Sequence, residues 1–457
     1  MSEHVVSLPK AFRQRMEEKL GASFPDFLKS LEQPAPTSIR INPEKKKLIQ
    51  AIQTVPWSST GGYLKERPLF TLDPLFHAGT YYVQEASSMF LEQAVRQSVD
   101  LSQPLKVLDL CAAPGGKSTH LLSLLNSQSF LVSNEVIRSR AGILAENLQK
   151  WGHHNVMVTN SDPEHFQRIT GLFDLIVVDA PCSGEGLFRK DPDAMREWSP
   201  DHVALCASRQ KRILHEVWPA LKENGILIYC TCTFNQFENE DNMNWLASEH
   251  EVEFMDVRCE SDWGIERVAL DQMIGYRFYP HRLMGEGFFT SVIRKKEETK
   301  AVRIKNSRNV FSSPVKKVIE QVSLWVSDPA HKLFLQFNST ILMIPEGMLE
   351  AFEFLSQNLR VVEVGTALAS LKHEKLIPEH ALALSQHLEK SAFSILDVDH
   401  ENALRYLRKE NLTMDGQSRG YALICYQGVP LGWVNVLENR MNNLYPLNWR
   451  IRMASNG

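Results

Sequence analysis

Between residues 105 and 230, five short apolar runs alternate with helical stretches, and this alternation limits the fold more than any other feature of the chain. The runs are 106–110 (KVLDL), 130–133, 156–158, Phe173–Asp179 (FDLIVVD) and 225–229 (GILIY). Helical patterns lie among them at 118–125, Arg138–Trp151 and 202–221. Strands so uniformly rich in Val, Ile and Leu leave neither face for water, so they predict a parallel sheet with helices on both sides. The fold class is therefore α/β, with a doubly wound, Rossmann-like core, and 287–294 (GFFTSVIR) is expected as an edge strand.

The first run opens into a loop of small residues, Asp109-Leu-Cys-Ala-Ala-Pro-Gly-Gly-Lys-Ser118. Such a loop between strand and helix lets a ligand approach the backbone at the helix N-terminus. A dinucleotide fold would want G-x-G-x-x-G, which is absent, and a phosphate-binding P-loop would want Gly where Cys111 stands. A methyl-donor loop remains. Glu135 ends the second strand, where it can bond ribose hydroxyls, and Asp162 follows the third, where it can meet an adenine amino group. Either acid alone reads as an ordinary loop residue; past the carboxyl ends of successive strands, both face one crevice.

The fourth strand ends in Asp179-Ala-Pro-Cys182 and the fifth in Cys230-Thr-Cys232, with Glu238, Glu240 and Asp241 behind. Parallel strands bring both carboxyl ends to the edge that holds the cofactor loop, so Cys182 and Cys232 are expected to face one pocket. A lone cysteine at a strand end is usually a small buried hydrophobe. Two at neighbouring ends, beside a carboxylate, suit covalent chemistry on a cytosine. Carbon 5 of that base is a poor nucleophile until a thiolate adds to carbon 6 and turns the ring into an enamine. Asp179 would bond the ring nitrogen side, and Lys117, on the cofactor loop, is the kind of donor that favours a thiolate if the fold brings it near.

These segments, with Arg40-Ile-Asn42, Gln84-Glu-Ala-Ser-Ser88, Pro280-His281, Gly287-Phe-Phe289 and the trailing Glu238-Asn-Glu240, resemble the motifs of RNA cytosine-5 methyltransferases of the NOL/NOP/Sun type. The resemblance implies S-adenosylmethionine as cofactor, held by Cys111, Ala112, Ala113, Pro114, Gly115, Gly116, Lys117, Glu135, Arg140, Asp162 and Asp179. It implies Cys232 as nucleophile, Cys182 as the group that assists product release, and Asp179 as their catalytic partner. Cys230 stands where relatives often carry Ser and adds a third thiol. The C-terminal part is similar to bacterial RsmF-type members, which act on 16S ribosomal RNA and end in a PUA-like barrel.

The expected organisation is an N-terminal α/β, RNA-binding extension over 1–75, the methyltransferase domain over 76–295 and a basic linker over 296–315. A mixed α/β accessory domain over 316–384 and a PUA-like RNA-binding domain over 385–457 complete it. With a net charge of −4, RNA must be met by local basic surfaces. One is 294–317, with Arg294, Lys295, Lys296, Lys300, Arg303, Lys305, Arg308, Lys316 and Lys317, which reads equally as a solvated linker. Another is the ending with Arg440, Tyr445, Trp449, Arg450 and Arg452, which reads also as ordinary barrel core and surface.

Seven scattered cysteines without a C-x-x-C pair indicate reduced thiols in a cytoplasm and no metal site. No apolar run approaches the ~18 residues of a membrane span. The expected partner is 16S rRNA or the small ribosomal subunit, bound by a monomer. Three other readings stay open: a tRNA methyltransferase, a DNA methyltransferase with Cys182 as nucleophile, and a non-catalytic RNA-binding assembly factor.

Overall fold

The computed structural model describes residues 8–45, 53–302, 304, 310–412 and 418–453. The leader forms two helices, Lys10–Leu20 and Phe24–Glu32, and a four-stranded sheet. Its strands are β1 (Thr37–Ile41), β2 (Gln53–Thr54), β3 (Gly61–Leu64) and β4 (Tyr81–Val83), in the order β2-β3-β1-β4. Phe12, Met16, Phe24, Phe27 and Leu31 of the helices are buried against Phe188, Trp198, Phe234 and Tyr279 of the next domain. A side chain of that size contributes roughly 1.5–3 kcal/mol when fully buried, so these five fasten the leader firmly.

The Arg40-Ile-Asn42 motif makes the second attachment. Arg40 is fully buried; its Nε donates to Gln84 Oε1 at 2.8 Å and its Nη2 to Thr119 Oγ1 at 2.5 Å. Asn42 Nδ2 donates to the carbonyls of Gly79 and Trp151, each at 3.0 Å. The leader thereby grips the two helices, Gly116–Leu124 and Arg138–Trp151, that begin at the cofactor loop and after Glu135.

In the central domain β5 (Lys106–Asp109), β6 (Phe130–Asn134), β7 (Val156–Thr159), β8 (Phe173–Asp179) and β9 (Leu221–Thr231) run parallel in the order β9-β8-β5-β6-β7. Their side chains feed two apolar layers, one holding Leu108, Ile176, Val178 and Tyr229, the other Val107, Val177, Ile228 and Cys230. Alternate residues therefore serve opposite faces, as a doubly covered sheet demands. The order reverses between β5 and its neighbours β6 and β8, which opens a crevice at their carboxyl ends.

The sheet continues antiparallel through β10 (Val252–Phe254), β11 (Glu266–Leu270), β12 (Met273–Phe278) and β13 (Phe288–Lys295), with β13 beside β9 and β10 off the edge. The strand expected over 287–294 is β13, but it is not at the edge: it lies between β9 and β12, because the β11–β12 hairpin is added outside it. The basic stretch 294–317 begins inside this sheet, whose strand β13 runs to Lys295. Lys295 is buried and donates to the carbonyls of Trp218 and Leu221, while Arg294 and Lys296 both pair with Glu253. These three cations serve the fold. Arg303, Lys305 and Arg308 lie outside the described residues.

Beyond them come β14 (Lys332–Phe337), β15 (Thr340–Pro345), β16 (Val361–Val364), β17 (Thr366–Lys372) and β18 (Lys375–Pro378). Four make a sheet in the order β14-β15-β17-β18, whereas β16 pairs with β7 and extends the central sheet. The 316–384 segment is thus stitched into its neighbour. The last sheet is β19 (Ser394–Val398), β20 (Gly420–Tyr426), β21 (Val429–Val436) and β22 (Met441–Asn443), in that order. Of the aromatic ending, Tyr445 is taken up by its core, while Arg440, Arg450 and Arg452 are exposed.

The C-terminal half meets the central domain at a pair of neutral imidazoles, His387 Nε2 and His154 Nδ1, 3.0 Å apart. Burial pushes His154 down to about 2 and His387 down to about 4. Groups depressed in the folded state stabilise above their unfolded value near 6.5, and that contribution fades as pH falls toward the folded values. Melting temperature is therefore expected to fall between about pH 7 and about pH 5, and His387→Gln to flatten the profile. A profile that is already flat in the unaltered protein would contradict this junction.

Candidate active site

A cavity of about 610 Å³ lies at the carboxyl ends of β5, β6, β8 and β9. Its lining includes Cys111, Ala113, Lys117, Glu135, Arg140, Asp179, Cys182 and Cys232. Gly115, with φ +116°, turns the chain into the helix Gly116–Leu124, a conformation that an L side chain resists. Glu135 is almost wholly buried; one carboxylate oxygen accepts the Ile137 N–H at 2.8 Å and the other lies 3.5 Å from Arg140 Nη1. Arg140 in turn donates to the Ala113 carbonyl at 2.7 Å, which ties the loop to the start of the next helix.

The residues fit a methyl-donor cofactor. The volume lies within the ~300–1,000 Å³ of small-ligand sites. Beneath the loop, Asp109 is fully buried; Ser118 Oγ donates to one of its oxygens at 2.7 Å and the other has no protein partner. Burial pushes this carboxyl up to about 7. Asp109 does not itself line the cavity; it fixes the start of the loop from below, while Glu135, Lys117 and Asp179 on the lining offer the charged groups that ribose hydroxyls and a cationic cofactor call for.

The two thiols meet. Cys182 Sγ lies 3.0 Å from Cys232 Sγ, and the Cys232 N–H points to Cys182 Sγ at 3.3 Å. The hydrogen bond with Cys232, then burial, raise the Cys182 thiol well above the usual range, which favours its protonated form. The return of the chain is tight here: a Cβ on Gly186 would fall 2.3 Å from the Gly287 carbonyl oxygen, and the Gly186 N–H donates to the Cys232 carbonyl at 2.8 Å. Glu185, fully buried, accepts from Arg15, Trp198 Nε1, Asn235 Nδ2 and the Phe234 N–H, so the leader helix reaches the back of the thiol loops.

Three sequence expectations shift. Lys117 Nζ sits 2.7 Å from Asp179 Oδ2 and 5.3 Å from the Phe288 ring, so its charge is committed to the carboxylate rather than to a thiol. Burial works against that charge, but the facing carboxylate more than offsets it and the Lys117 pKa rises. Asp162 is not among the cavity-lining residues; it accepts the Glu164 N–H and lies 3.5 Å from Arg212, at the rim. Cys230 is fully buried, 3.4 Å from Thr290 Oγ1, and burial pushes it up to about 12, away from nucleophilic use.

The cavity also holds Glu85, Arg209, Arg212, Glu286 and Phe288, which the sequence reading did not assign to it. Glu85 sits in the Gln84-Glu-Ala-Ser-Ser88 motif and accepts the backbone N–H groups of Ser87, Ser88 and Glu286. Arg209 and Arg212 lie on the helix Pro200–Val217, whose first turn is capped by Ser199. Nothing in that helix pattern separates them from ordinary surface cations. Among the described residues no three His, Cys, Asp or Glu side chains form a metal-holding group, and no helix is long and apolar enough to cross a membrane.

Known proteins match along nearly the whole chain. The profile of 16S rRNA methyltransferase RsmB/F covers residues 97–294, that of the N-terminal domain of 16S rRNA methyltransferase RsmF covers 8–86, and that of the methyltransferase RsmF PUA domain covers 393–451. Ribosomal RNA small subunit methyltransferase F of Escherichia coli, strains SE11 and K12, is 30% identical over 477 aligned positions, which span 98% of this chain and 97% of the relative. A methyltransferase homologue from Pyrococcus horikoshii is 28% identical, with a TM-score of 0.54 over 64% of this chain and 96% of that one. NSun6 from the same organism, at 18% identity and a TM-score of 0.54 over 65% and 100% of the two chains, shares the fold.

Proposed function

Because the chain belongs to the RsmF family of 16S rRNA methyltransferases, we propose that it methylates carbon 5 of a cytosine in the decoding region of 16S rRNA through a covalent bond from Cys232. It is an S-adenosylmethionine-dependent enzyme. The observation that carries the cytosine-5 reading is the pair of thiols 3.0 Å apart in the cavity that also holds Asp179.

S-adenosylmethionine supplies an electrophilic methyl group on a sulfonium. The loop Cys111, Ala112, Ala113, Pro114, Gly115, Gly116 and Lys117 would hold it with Glu135, Arg140 and Asp179, the cavity wall being formed on the loop side by Cys111, Ala113 and Lys117, and Asp162 would stand at the rim. Glu135 would take the ribose hydroxyls. Cys232, as the thiolate, adds to carbon 6 of the extruded base and raises electron density at carbon 5. Asp179, held by Lys117, hydrogen-bonds the ring nitrogen side. Once carbon 5 carries the methyl group, its proton passes to water, the C–H electron pair re-forms the C5–C6 double bond and the pair of the C6–S bond leaves on the Cys232 sulfur, to which Cys182 gives its proton before taking another from solvent.

The leader over 1–75 and the modules over 316–384 and 385–457 present the core, over 76–295, to small-subunit RNA, and the enzyme works as a cytoplasmic monomer. Sequencing of bisulfite-treated RNA from cells with and without the gene tests the substrate. One protected cytosine or more in 16S rRNA, lost with the gene, is expected; loss confined to tRNA would move the assignment there.

Glu135→Ala removes charge-assisted hydrogen bonds worth ~1.5–3 kcal/mol each, so cofactor affinity is expected to fall roughly tenfold or more by calorimetry. Unchanged affinity would displace the cofactor from this crevice. RNA affinity is expected to fall steeply with salt, because the exposed Arg440, Arg450 and Arg452 release counterions from phosphates on binding. A flat salt titration would remove these residues from the interface.

A further inference from the structure

Glu238, Asn239 and Glu240 follow the nucleophile loop and enter no step above, yet all three are buried. Glu238 and Asn239 each hold a different cysteine from both sides. One oxygen of Glu238 accepts the Ser183 N–H at 2.8 Å and Gln210 Nε2 at 3.0 Å, and the other accepts Ser183 Oγ at 2.5 Å. Gln210 Nε2 also donates to the Pro181 carbonyl at 2.9 Å. The residues before and after Cys182 are thus fixed by one carboxylate, directly and through one amide. Asn239 repeats the pattern around Cys232: its Oδ1 accepts Thr231 Oγ1 at 2.6 Å and its Nδ2 donates to the Thr233 carbonyl at 3.0 Å.

We propose that these adjacent residues are positioning residues with divided duties, Glu238 fixing Cys182 for product release and Asn239 fixing Cys232 for attack. The division rests on the roles given to the two cysteines above. Its physical basis is that neighbours in sequence point to opposite sides, so one short segment spans both loops and sets the distance between the thiols. The charge on Glu238 acts in the same sense, being one of the groups that keep the proton on Cys182, behind the Cys232 hydrogen bond and burial. Tyr229 OH donates to the Glu238 carbonyl at 2.7 Å, and Glu240 pairs with Arg277 at 2.5 Å, so the segment is anchored at both ends.

The test is single-turnover kinetics with full-length protein, S-adenosylmethionine and 16S rRNA transcribed in vitro, with methyl transfer and gel-stable enzyme–RNA complex followed together. Glu238→Gln should let the complex build up roughly tenfold above the unaltered enzyme while methyl transfer holds its rate. Asn239→Ala should slow methyl transfer roughly tenfold or more with no such build-up. Gln210→Met and Thr231→Val loosen the two clamps one at a time and should repeat the two patterns in smaller measure, which keeps the test decisive if a stronger variant fails to fold; Ser183 Oγ also meets Thr233 Oγ1 at 3.1 Å and so belongs to both loops. Cofactor affinity, measured on each variant, should stay unchanged. Equal effects on both steps, exchanged effects, or none in either pair would overturn the division. Cys182→Ala is run beside them: if it accumulates no complex, the cysteine roles themselves fall, whereas accumulation there without accumulation in Glu238→Gln refutes only the clamp.

Discussion

Cys232→Ala is expected to lose methylation by roughly 10⁴-fold or more, and to form no bond to RNA that survives a denaturing gel. The size follows from the chemistry: without an adduct at carbon 6, carbon 5 has no electron density with which to take the methyl group. Neither neighbouring thiol can substitute. Cys230 is fully buried against Thr290 with its pKa pushed up to about 12, and Cys182, even without the Cys232 hydrogen bond, still has burial and the Glu238 charge raising its thiol. The loss should be catalytic, because Cys232 adds little to the folding core and its backbone contacts, the N–H to Cys182 Sγ and the carbonyl to Gly186, do not need a sulfur on residue 232 itself. Unchanged cofactor affinity and melting temperature in the variant would separate chemistry from folding. Cys230→Ser, the control, should remain active.

Cys182→Ala should show the opposite sign on the same gel. Attack and methyl transfer need Cys232 and Asp179, both still present, so a first turnover should proceed. Release should then stall, and enzyme should accumulate on RNA to near one equivalent where the unaltered protein shows little. Multiple-turnover activity is expected to fall by roughly 10²-fold or more, in the range set by loss of a group that assists proton transfer. A variant that releases product normally would show that the contact of 3.0 Å between the sulfurs serves structure alone.

Much of this site was legible in the sequence because strand ends are legible. Phe173–Asp179 and Arg138–Trp151 have the bounds that apolar pattern and periodicity predict, and once the strands are parallel, Glu135, Asp179, Cys182 and Cys232 must share an edge. What the pattern hid has physical reasons. The β11–β12 hairpin turns at Asp271, in the left-handed region at φ 54°, without the Asn-Gly or Asp-Gly that marks such turns, and β11 is only half-buried. The strand β16 belongs by sequence to one module and by hydrogen bonding to another, a long-range pairing that no local window records. Asp162 follows its strand as expected, yet it starts the turn Pro163–Arg168 as its cap, which spends its carboxylate at the rim. Glu85 and Glu286 meet near the cavity only because the leader sheet folds back on the loop before β13.

Buried carboxylates organise the site more than its exposed charges do. Glu185, Glu238 and Glu240 lie behind the thiols and connect the leader helices, the helix Pro200–Val217 and β12. Removing one partner from such a network leaves a charge buried and unpaired, which is far costlier than losing a surface pair. Variants behind the thiols must therefore be read through conservative changes, whereas the cysteines themselves can be exchanged cleanly.

The most direct measurement identifies the sulfur that bonds the base. The full-length protein, incubated with S-adenosylmethionine and 16S rRNA carrying 5-fluorocytosine, should be trapped because fluorine at carbon 5 cannot leave as a proton does. Digestion and mass spectrometry should then find the nucleotide on the peptide that contains Cys232, with Cys182 unmodified. A nucleotide on Cys182, or no trapped peptide at all, would contradict the account.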